Sequence, residues 1–300
     1  MSSRKPLTVL FLGAPNPLSM GIIAAWLHAG NRVEAIWYPE RVKATKAIQK
    51  DIRLADTNPN LSMAGLARLF EVNCEAVPKL SGNPELVARA NDLPVDTVIS
   101  VMFMDVVPKA MIAAFKGRIL NIHPSLLPAY RGPSPILNML WDENIDEFSG
   151  LTLHEIAPGV DEGAIVKGSP VAFPKNGSMS QYLGSLIHAG GKLLCETVPA
   201  YLDGSITAAE QPHSGVSHCH VKIGKLSIGS RDSRARVEWL CRTVGQLGEF
   251  KIEGAIADVR VNRLVEFLGP PTGAPMAFSD SWAEIDLADA RVRLSRAQIG

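Results

Sequence analysis

An amide and an imidazole stand two residues apart at the end of a hydrophobic run in the stretch "RILNIHPSLLPAYRGPSP", residues 118–135. Asn121 and His123 follow Ile119 and Leu120, a pattern typical of a buried strand that is ending. Side chains two apart on a strand point to the same face, so the two groups are predicted to converge. Together they can hydrogen-bond a developing oxyanion and move a proton. On these residues alone, a turn amide and a packed histidine remain the alternative.

A second stretch, "SGLTLHEIAPGVDEGAIV" at residues 149–166, predicts a strand, a Pro-Gly loop and another strand. The loop carries Asp161 and Glu162. A carboxylate on a rigid loop between strands can reach an imidazole, hold its tautomer and support its protonated form. The alternative reading is an ordinary acidic hairpin turn.

Length and composition restrict the classes of protein to consider. The chain has 300 residues, 46% of them hydrophobic, which is enough for a large core and argues against disorder. Thirty basic residues balance thirty acidic ones, so no overall field favours DNA or other nonspecific nucleic-acid binding. Four widely spaced cysteines suggest reduced thiols. With no apolar run long enough to span a membrane, we expect a soluble, cytoplasmic protein without a membrane partner.

The elements that must position these groups follow from hydrophobic periodicity. Apolar runs predict strands at 7–12, 33–37, 74–77, 96–102, 119–122, 151–156 and 164–173. Helical spacing predicts helices at 19–28, 63–71, from 84 onward, and at 108–115, 178–202 and 233–246. Strands alternating with helices indicate an α/β fold with a Rossmann-like, open, mostly parallel sheet. We expect a catalytic domain at 1–205, a polar linker at 206–229, and a small C-terminal β domain at 230–300, where polar and apolar residues alternate.

The two motifs together resemble those of the 10-formyltetrahydrofolate-dependent formyltransferase family. "NIHPSLLPAYRGPSP" is followed about 40 residues later by "GVDEGAIV", and the two are similar to that family's Asn-x-His-x-Ser-Leu-Leu-Pro and Asp-x-Gly motifs. Asn121, His123 and Asp161 match its catalytic trio position by position. The resemblance extends into the linker and, more weakly, into the C-terminal region, which resembles the barrel-like domain of methionyl-tRNA formyltransferases.

The resemblance also implies binding residues. Folate would bind the loop after the strand 96–102 and the loop before Asp161, through Met102, Phe103, Met104, Pro158, Gly159, Val160 and Asp161 itself. The acceptor would lie near Gly13, Asn16, Ser125 and His154. Packing of the Met/Phe stretch in the core is equally compatible with the sequence. The turn at 13–19 lacks the glycine fingerprint of dinucleotide binders, so no NAD site is expected.

The resemblance implies that the chain is an enzyme which transfers a formyl group from N10-formyltetrahydrofolate to an amine. The segment 131–135, "RGPSP", is similar to that of the tRNA enzymes. His154, the mixed charge of 38–60, and ten basic against ten acidic residues in 226–300 favour a small acceptor instead. An amino sugar or an amino-acid derivative is therefore expected, with initiator methionyl-tRNA as the alternative.

Two other classes stay open, a hydrolase that releases formate from the same co-substrate and a folate-binding protein without activity. No metal is expected. Only His218 and His220 of "HCH" could share an ion, since adjacent residues on a strand alternate faces, and no further ligand is spaced near them.

Overall fold

The structure is a computed structural model that describes residues 5–40, 63–116, 118–175, 178–222, 224–255 and 258–296. Its contacts divide the chain into two compact units. One unit comprises Met1–Pro133 with Phe148–His218, and the other comprises Ser134–Glu147 with Cys219–Gly300. The predicted domain boundaries at 205 and 229 stay a prediction.

The first unit is built on a seven-stranded sheet in the order β3-β2-β1-β4-β5-β6-β7. Its strands are β1 (Thr8–Gly13), β2 (Arg32–Pro39), β3 (Asn73–Val77), β4 (Thr97–Val101), β5 (Ile119–His123), β6 (Gly150–Glu155) and β7 (Ile165–Pro170). The pairs from β3 to β5 are parallel, whereas β6 and β7 are antiparallel. The predicted α/β class with a mostly parallel sheet is confirmed.

Helices in this unit follow the predicted order with small shifts at their ends. They are α1 (Pro17–His28), α2 (Met63–Phe70), α3 (Pro84–Asp92), α4 (Lys109–Ala114) and, late in the chain, α7 (Met179–Leu202). Asn83 caps α3 by accepting from the Leu86 amide at 3.1 Å, as Asn-Pro-Glu predicts. A capping box at Ser178 and Gln181 begins α7.

Parallel pairing sets the carboxyl ends of the central strands level. Gly13 of β1 pairs with Val101 of β4, and Val101 pairs with Ile122 of β5. Across the antiparallel boundary, Asn121 pairs with His154 of β6. β4 is buried at every position, which explains its uninterrupted apolar and small residues. This register places the polar residues of β5 and β6 side by side.

The second unit carries a six-stranded sheet in the order β11-β12-β13-β10-β9-β8. Its strands are β8 (Ser227–Ile228), β9 (Phe250–Ile252), β10 (Arg260–Gly269), β11 (Ala277–Phe278), β12 (Trp282–Asp286) and β13 (Arg291–Arg296). The alternation of polar and apolar residues predicted this sheet, and a second, C-terminal β sheet is confirmed. β8 and β9 run parallel, whereas the other strand pairs of this sheet are antiparallel.

Two helices follow Pro133 that the sequence did not indicate, α5 (Pro135–Trp141) and α6 (Ile145–Phe148). α5 belongs to the second unit, where Trp239 of α8 (Arg234–Thr243) donates to the Leu140 carbonyl at 2.9 Å. The helix predicted to reach residue 246 ends at Thr243 and continues as a short 3-10 turn, Val244–Gln246. In the part of the chain that the structure describes, no helix combines the length and apolarity that crossing a membrane requires.

Candidate active site

The side chains of Asn121, His123 and Asp161 lie together, with His154 as a fourth member. The Asp161 carboxylate is 3.5 Å from His123 Nδ1, 3.6 Å from His154 Nε2 and 3.5 Å from the Asn121 amide nitrogen. The strand pair β5–β6 supplies three of these groups, and the loop after β6 supplies Asp161. The convergence predicted from strand spacing is therefore observed.

Backbone groups set the orientation of both imidazoles. His123 Nε2 lies 2.8 Å from the Tyr130 carbonyl oxygen, which can only accept, so Nε2 carries a proton and Nδ1 faces Asp161. His154 Nδ1 lies 2.8 Å from the carbonyl oxygen of Glu155, so its proton is on Nδ1. His154 Nε2 then accepts a hydrogen bond from the Asn121 amide at 3.0 Å. These partners determine which side of each ring is available for chemistry.

Burial dominates the electrostatics of the two histidines. Both side chains are almost completely buried, and loss of hydration lowers the pKa of His123 and of His154. The Asp161 carboxylate opposes this effect in both cases and raises the pKa. Each imidazole is therefore neutral near pH 7 and gains its counter-charge from Asp161 when it takes up a proton.

The loop that carries Asp161 is held by close backbone packing. Asp161 has a left-handed φ of 52°, and its Oδ2 accepts from the Gly132 amide at 2.8 Å. An added Cβ at Gly163 would lie 1.8 Å from the Glu155 carbonyl oxygen, so only glycine fits there. The Asp-x-Gly pattern thus has a steric cause at its glycine.

The residues predicted to bind folate occupy two loops of the first unit. Met102, with a φ of 56°, follows β4 directly. Phe103 packs against a hydrophobic cluster that includes Leu10 of β1 and Val98 of β4. Met104 is 54% exposed and Val160 is 58% exposed, which is unusual for large apolar side chains. Pro158 is exposed, and Gly159 is half-buried beside Glu162.

The residues predicted to contact the acceptor are placed differently from one another. His154 is inside the cluster. Asn16 caps α1 by accepting from the Ser19 amide at 2.9 Å, and a Cβ at Gly13 would lie 2.8 Å from the Ser19 hydroxyl. Ser125 is fully buried, and its hydroxyl donates to the Ala129 carbonyl at 2.7 Å. The structure thus gives Asn16, Gly13 and Ser125 local structural contacts, and their predicted binding roles stay predictions.

The sequence did not indicate the groups that form hydrogen bonds to His123, to Asp161 and to the backbone beside them. Among them are the Tyr130 carbonyl, the Gly132 amide and the side chains of Gln211 and Ser217. Gln211 and Ser217 lie in the segment predicted to be a linker, and their polar character there gives no signal of a role. The described residues include no group of three His, Cys, Asp or Glu side chains arranged to hold a metal ion.

Comparison with known protein families identifies the chain's relatives. A family model described as formyl transferase matches residues 39–198, which contain the whole cluster. The chain belongs to the formyl transferase family. Methionyl-tRNA formyltransferase of Chloroflexus aggregans is 31% identical over 208 residues, which is 69% of this chain and 63% of that protein. The chain thus spans about 63% of the length of such curated formyltransferases. The Streptococcus gordonii protein of the same name is 30% identical over 233 residues, 77% of this chain and 68% of its own.

Solved structures of the formyltransferase fold align with nearly the whole chain. The sugar 3N-formyl transferase WlaRD, in the presence of dTDP and 5-N-formyl-THF, gives a TM-score of 0.64 at 15% identity, covering 98% of this chain and 99% of that one. An N-formyltransferase from Helicobacter canadensis, in complex with folinic acid and dTDP-3-aminofucose, gives 0.63 at 15% identity, covering 97% and 99%. At this identity the likeness establishes the fold.

Proposed function

We propose that the protein transfers a formyl group from N10-formyltetrahydrofolate to an amine, with Asn121, His123 and Asp161 as its catalytic residues. The observation that carries the proposal is their convergence within 3.5 Å of one carboxylate, from two motifs about 40 residues apart. Membership of the formyl transferase family also supports the proposal.

His123 acts through Nδ1 as the proton acceptor. Its Nε2–H is held by the Tyr130 carbonyl, and burial keeps the ring neutral, so the Nδ1 lone pair is available. As the amine attacks, Nδ1 takes its proton, and the Asp161 carboxylate 3.5 Å away stabilises the resulting imidazolium. The same proton can then pass to the departing nitrogen.

Asn121 supplies a hydrogen-bond donor for the charge that develops on the formyl oxygen. One amide hydrogen is used by His154 at 3.0 Å, whereas the contact to Asp161 is 3.5 Å and therefore weak. The second hydrogen can turn to the oxygen as negative charge builds up. One such donor typically contributes about 10²–10³ in rate.

The loops on the first unit fit an apolar ring system such as a pterin. Met104 and Val106 follow β4 and are 54% and 66% exposed, and Val160 precedes Asp161. Phe103 and Ile156 pack on the same hydrophobic cluster, so both loops begin beside it. When bound, N10-formyltetrahydrofolate supplies the formyl group. Crystals soaked with unreactive 5-formyltetrahydrofolate test this site, and ordered pterin elsewhere would contradict it.

A small amine, such as an amino sugar or an amino-acid derivative, is the acceptor that we propose. In the second unit, ion pairs with carboxylates occupy the basic side chains Arg231, Arg236, Lys251, Arg260, Arg291 and Arg293. Each of these cations has a carboxylate beside it, so they add little net positive charge to attract phosphates, and tRNA binding depends on phosphate contacts. The alignment with sugar formyltransferases over nearly the full length agrees with this choice.

Methionyl-tRNA is the second candidate acceptor, because the two relatives described above are named methionyl-tRNA formyltransferases. A parallel assay with N10-formyltetrahydrofolate, initiator methionyl-tRNA and a panel of amino sugars and amino acids separates the two. We expect turnover of a small amine, and tRNA binding that is weak at about 0.15 M salt. Turnover of the charged tRNA alone would overturn the choice of acceptor, and formate release without any acceptor would indicate a hydrolase.

A further inference from the structure

Gln211 lies in the polar segment after α7 and makes four hydrogen bonds with its side-chain amide. Its Oε1 accepts from Arg131 Nε at 3.0 Å and from Arg131 Nη2 at 2.6 Å. Its Nε2 donates to the carbonyl oxygens of Asp161 at 2.7 Å and Gly163 at 2.8 Å. Gln211 and Arg131 are both buried, with 8% and 9% of their surfaces exposed. The amide therefore links the "RG" turn to the loop that carries Asp161.

The partners leave only one orientation for this amide. A guanidinium can only donate and a carbonyl oxygen can only accept, so Oε1 must face Arg131 and Nε2 must face the loop. All of the hydrogen-bonding capacity of the side chain is then used. Because these groups are buried, a side chain that reached only one set of partners would leave the others unsatisfied at a cost in stability.

The segment around Gln211 also contacts the turn that orients His123. Ala209 and Ile165 exchange backbone hydrogen bonds at 2.7 and 2.8 Å, which fixes the segment beside the loop after β6. Ser217 accepts from the Tyr130 amide through its hydroxyl at 2.9 Å, and the Tyr130 carbonyl orients His123. One polar segment thus contacts both the turn that orients His123 and the loop that presents Asp161.

We propose that Gln211, itself oriented by Arg131, is a positioning residue that sets the distance between the Asp161 carboxylate and the His123 imidazole. The catalytic relevance of this distance rests on the proposed function. Gln211 makes no hydrogen bond to the catalytic side chains themselves among those described. It binds the backbone on either side of Glu162 and thereby influences the direction in which the Asp161 carboxylate points.

The test uses two uncharged replacements, Gln211→Asn and Gln211→Met. Asparagine is one methylene shorter and cannot reach both Arg131 and the loop, whereas methionine keeps the length but has no amide. The groups that face His123 are the Asp161 carboxylate, the His154 ring at a centroid distance of 6.3 Å and the neutral Tyr130 carbonyl. Neither replacement adds a charge to this set.

The main readout is the titration of His123, followed by NMR in the full-length protein without substrate. If the carboxylate retreats by about 1 Å, its attraction for the imidazolium weakens, and the pKa of His123 should fall by about 0.8. In the transfer assay, kcat should fall about sixfold or more, with the KM for the folate changed less than threefold. Gln211→Asn keeps the readout available if Gln211→Met does not fold.

Gln181→Asn is the matched control. This exposed glutamine accepts from the Ser178 amide at 2.8 Å in the capping box of α7, so shortening it lowers stability without touching the cluster. An unchanged His123 titration and kcat in folded Gln211→Asn, or the same changes in Gln181→Asn, would overturn the proposal. If the wild type formylates no amine, the proposed function fails, but the titration still decides whether Gln211 sets the distance.

Discussion

Replacing Asp161 by asparagine removes one negative charge from the cluster and leaves its shape almost unchanged. The asparagine oxygen can still accept from the Gly132 amide, which now lies 2.8 Å from Oδ2, so the loop should keep its place. What is lost is the counter-charge of the imidazolium. For unit charges separated by 3.5 Å in an effective dielectric of about 20, that attraction is about 5 kcal/mol. Water and side-chain relaxation recover part of it, so we expect kcat to fall about 10³-fold.

The assay follows release of tetrahydrofolate from N10-formyltetrahydrofolate at saturating amine. Binding of 5-formyltetrahydrofolate and the thermal unfolding curve should stay near wild type, because no apolar contact changes. Glu162→Gln is the control, since it removes the adjacent carboxylate, which is 53% exposed and 3.8 Å from Arg131. Although Arg131 is buried, the Glu162 carboxylate is more than half exposed and 3.8 Å away, so water screens this pair and we expect less than a threefold change. Comparable rates for Asp161→Asn and Glu162→Gln would refute the role of Asp161.

Three further outcomes follow from the same geometry. Gly163→Ala should lower both the melting temperature and kcat, because its Cβ would lie 1.8 Å from the Glu155 carbonyl oxygen. Gly159→Ala is the control and should be tolerated, because its Cβ would meet only the Glu162 side chain, which can move. Equal unfolding curves for the two variants would contradict the packing argument. Since burial lowers the pKa of His123 below its usual value and the neutral ring is the active form, the pH profile of kcat should be level near pH 7 and decline only as the pH falls through that lowered pKa. A decline beginning above pH 7 would show that His123 is protonated in the resting enzyme. His123→Ala should fold but turn over at least about a hundredfold more slowly, and near wild-type kcat in the folded variant would remove His123 from the mechanism.

The fold was largely predictable because its strands carry strong local signals. β4 is apolar or small at every position, and a strand buried on both faces needs this composition. The end of α1 at Ala29 and the cap at Asn83 are also predictable from the sequence, because each depends on the residues next to it. α5 escaped prediction because its partners in the second unit, such as Trp239, are about a hundred residues away in sequence.

The cluster was predictable in part, for a related reason. Asn121 and His123 converge through strand geometry, which is local, and the motif spacing brought in Asp161. The role of His154 toward the acceptor stays a prediction. Its contact with Asn121 arises because β6 runs antiparallel to β5 and sets the two residues opposite each other. Strand pairing is not visible in a single sequence, so this contact could not be anticipated.

The polarity of the segment after α7 has two readings that a sequence alone does not separate. Gln, Ser and Gly are common in exposed connections, which is why residues 206–229 were predicted to be a linker. Catalytic loops, however, are irregular, and their buried backbone groups have no strand or helix to pair with. At this site, Gln211 satisfies the carbonyls of Asp161 and Gly163, and Ser217 satisfies the Tyr130 amide. In this chain, polar side chains therefore supply the hydrogen bonds that a strand or a helix would otherwise give to these backbone groups.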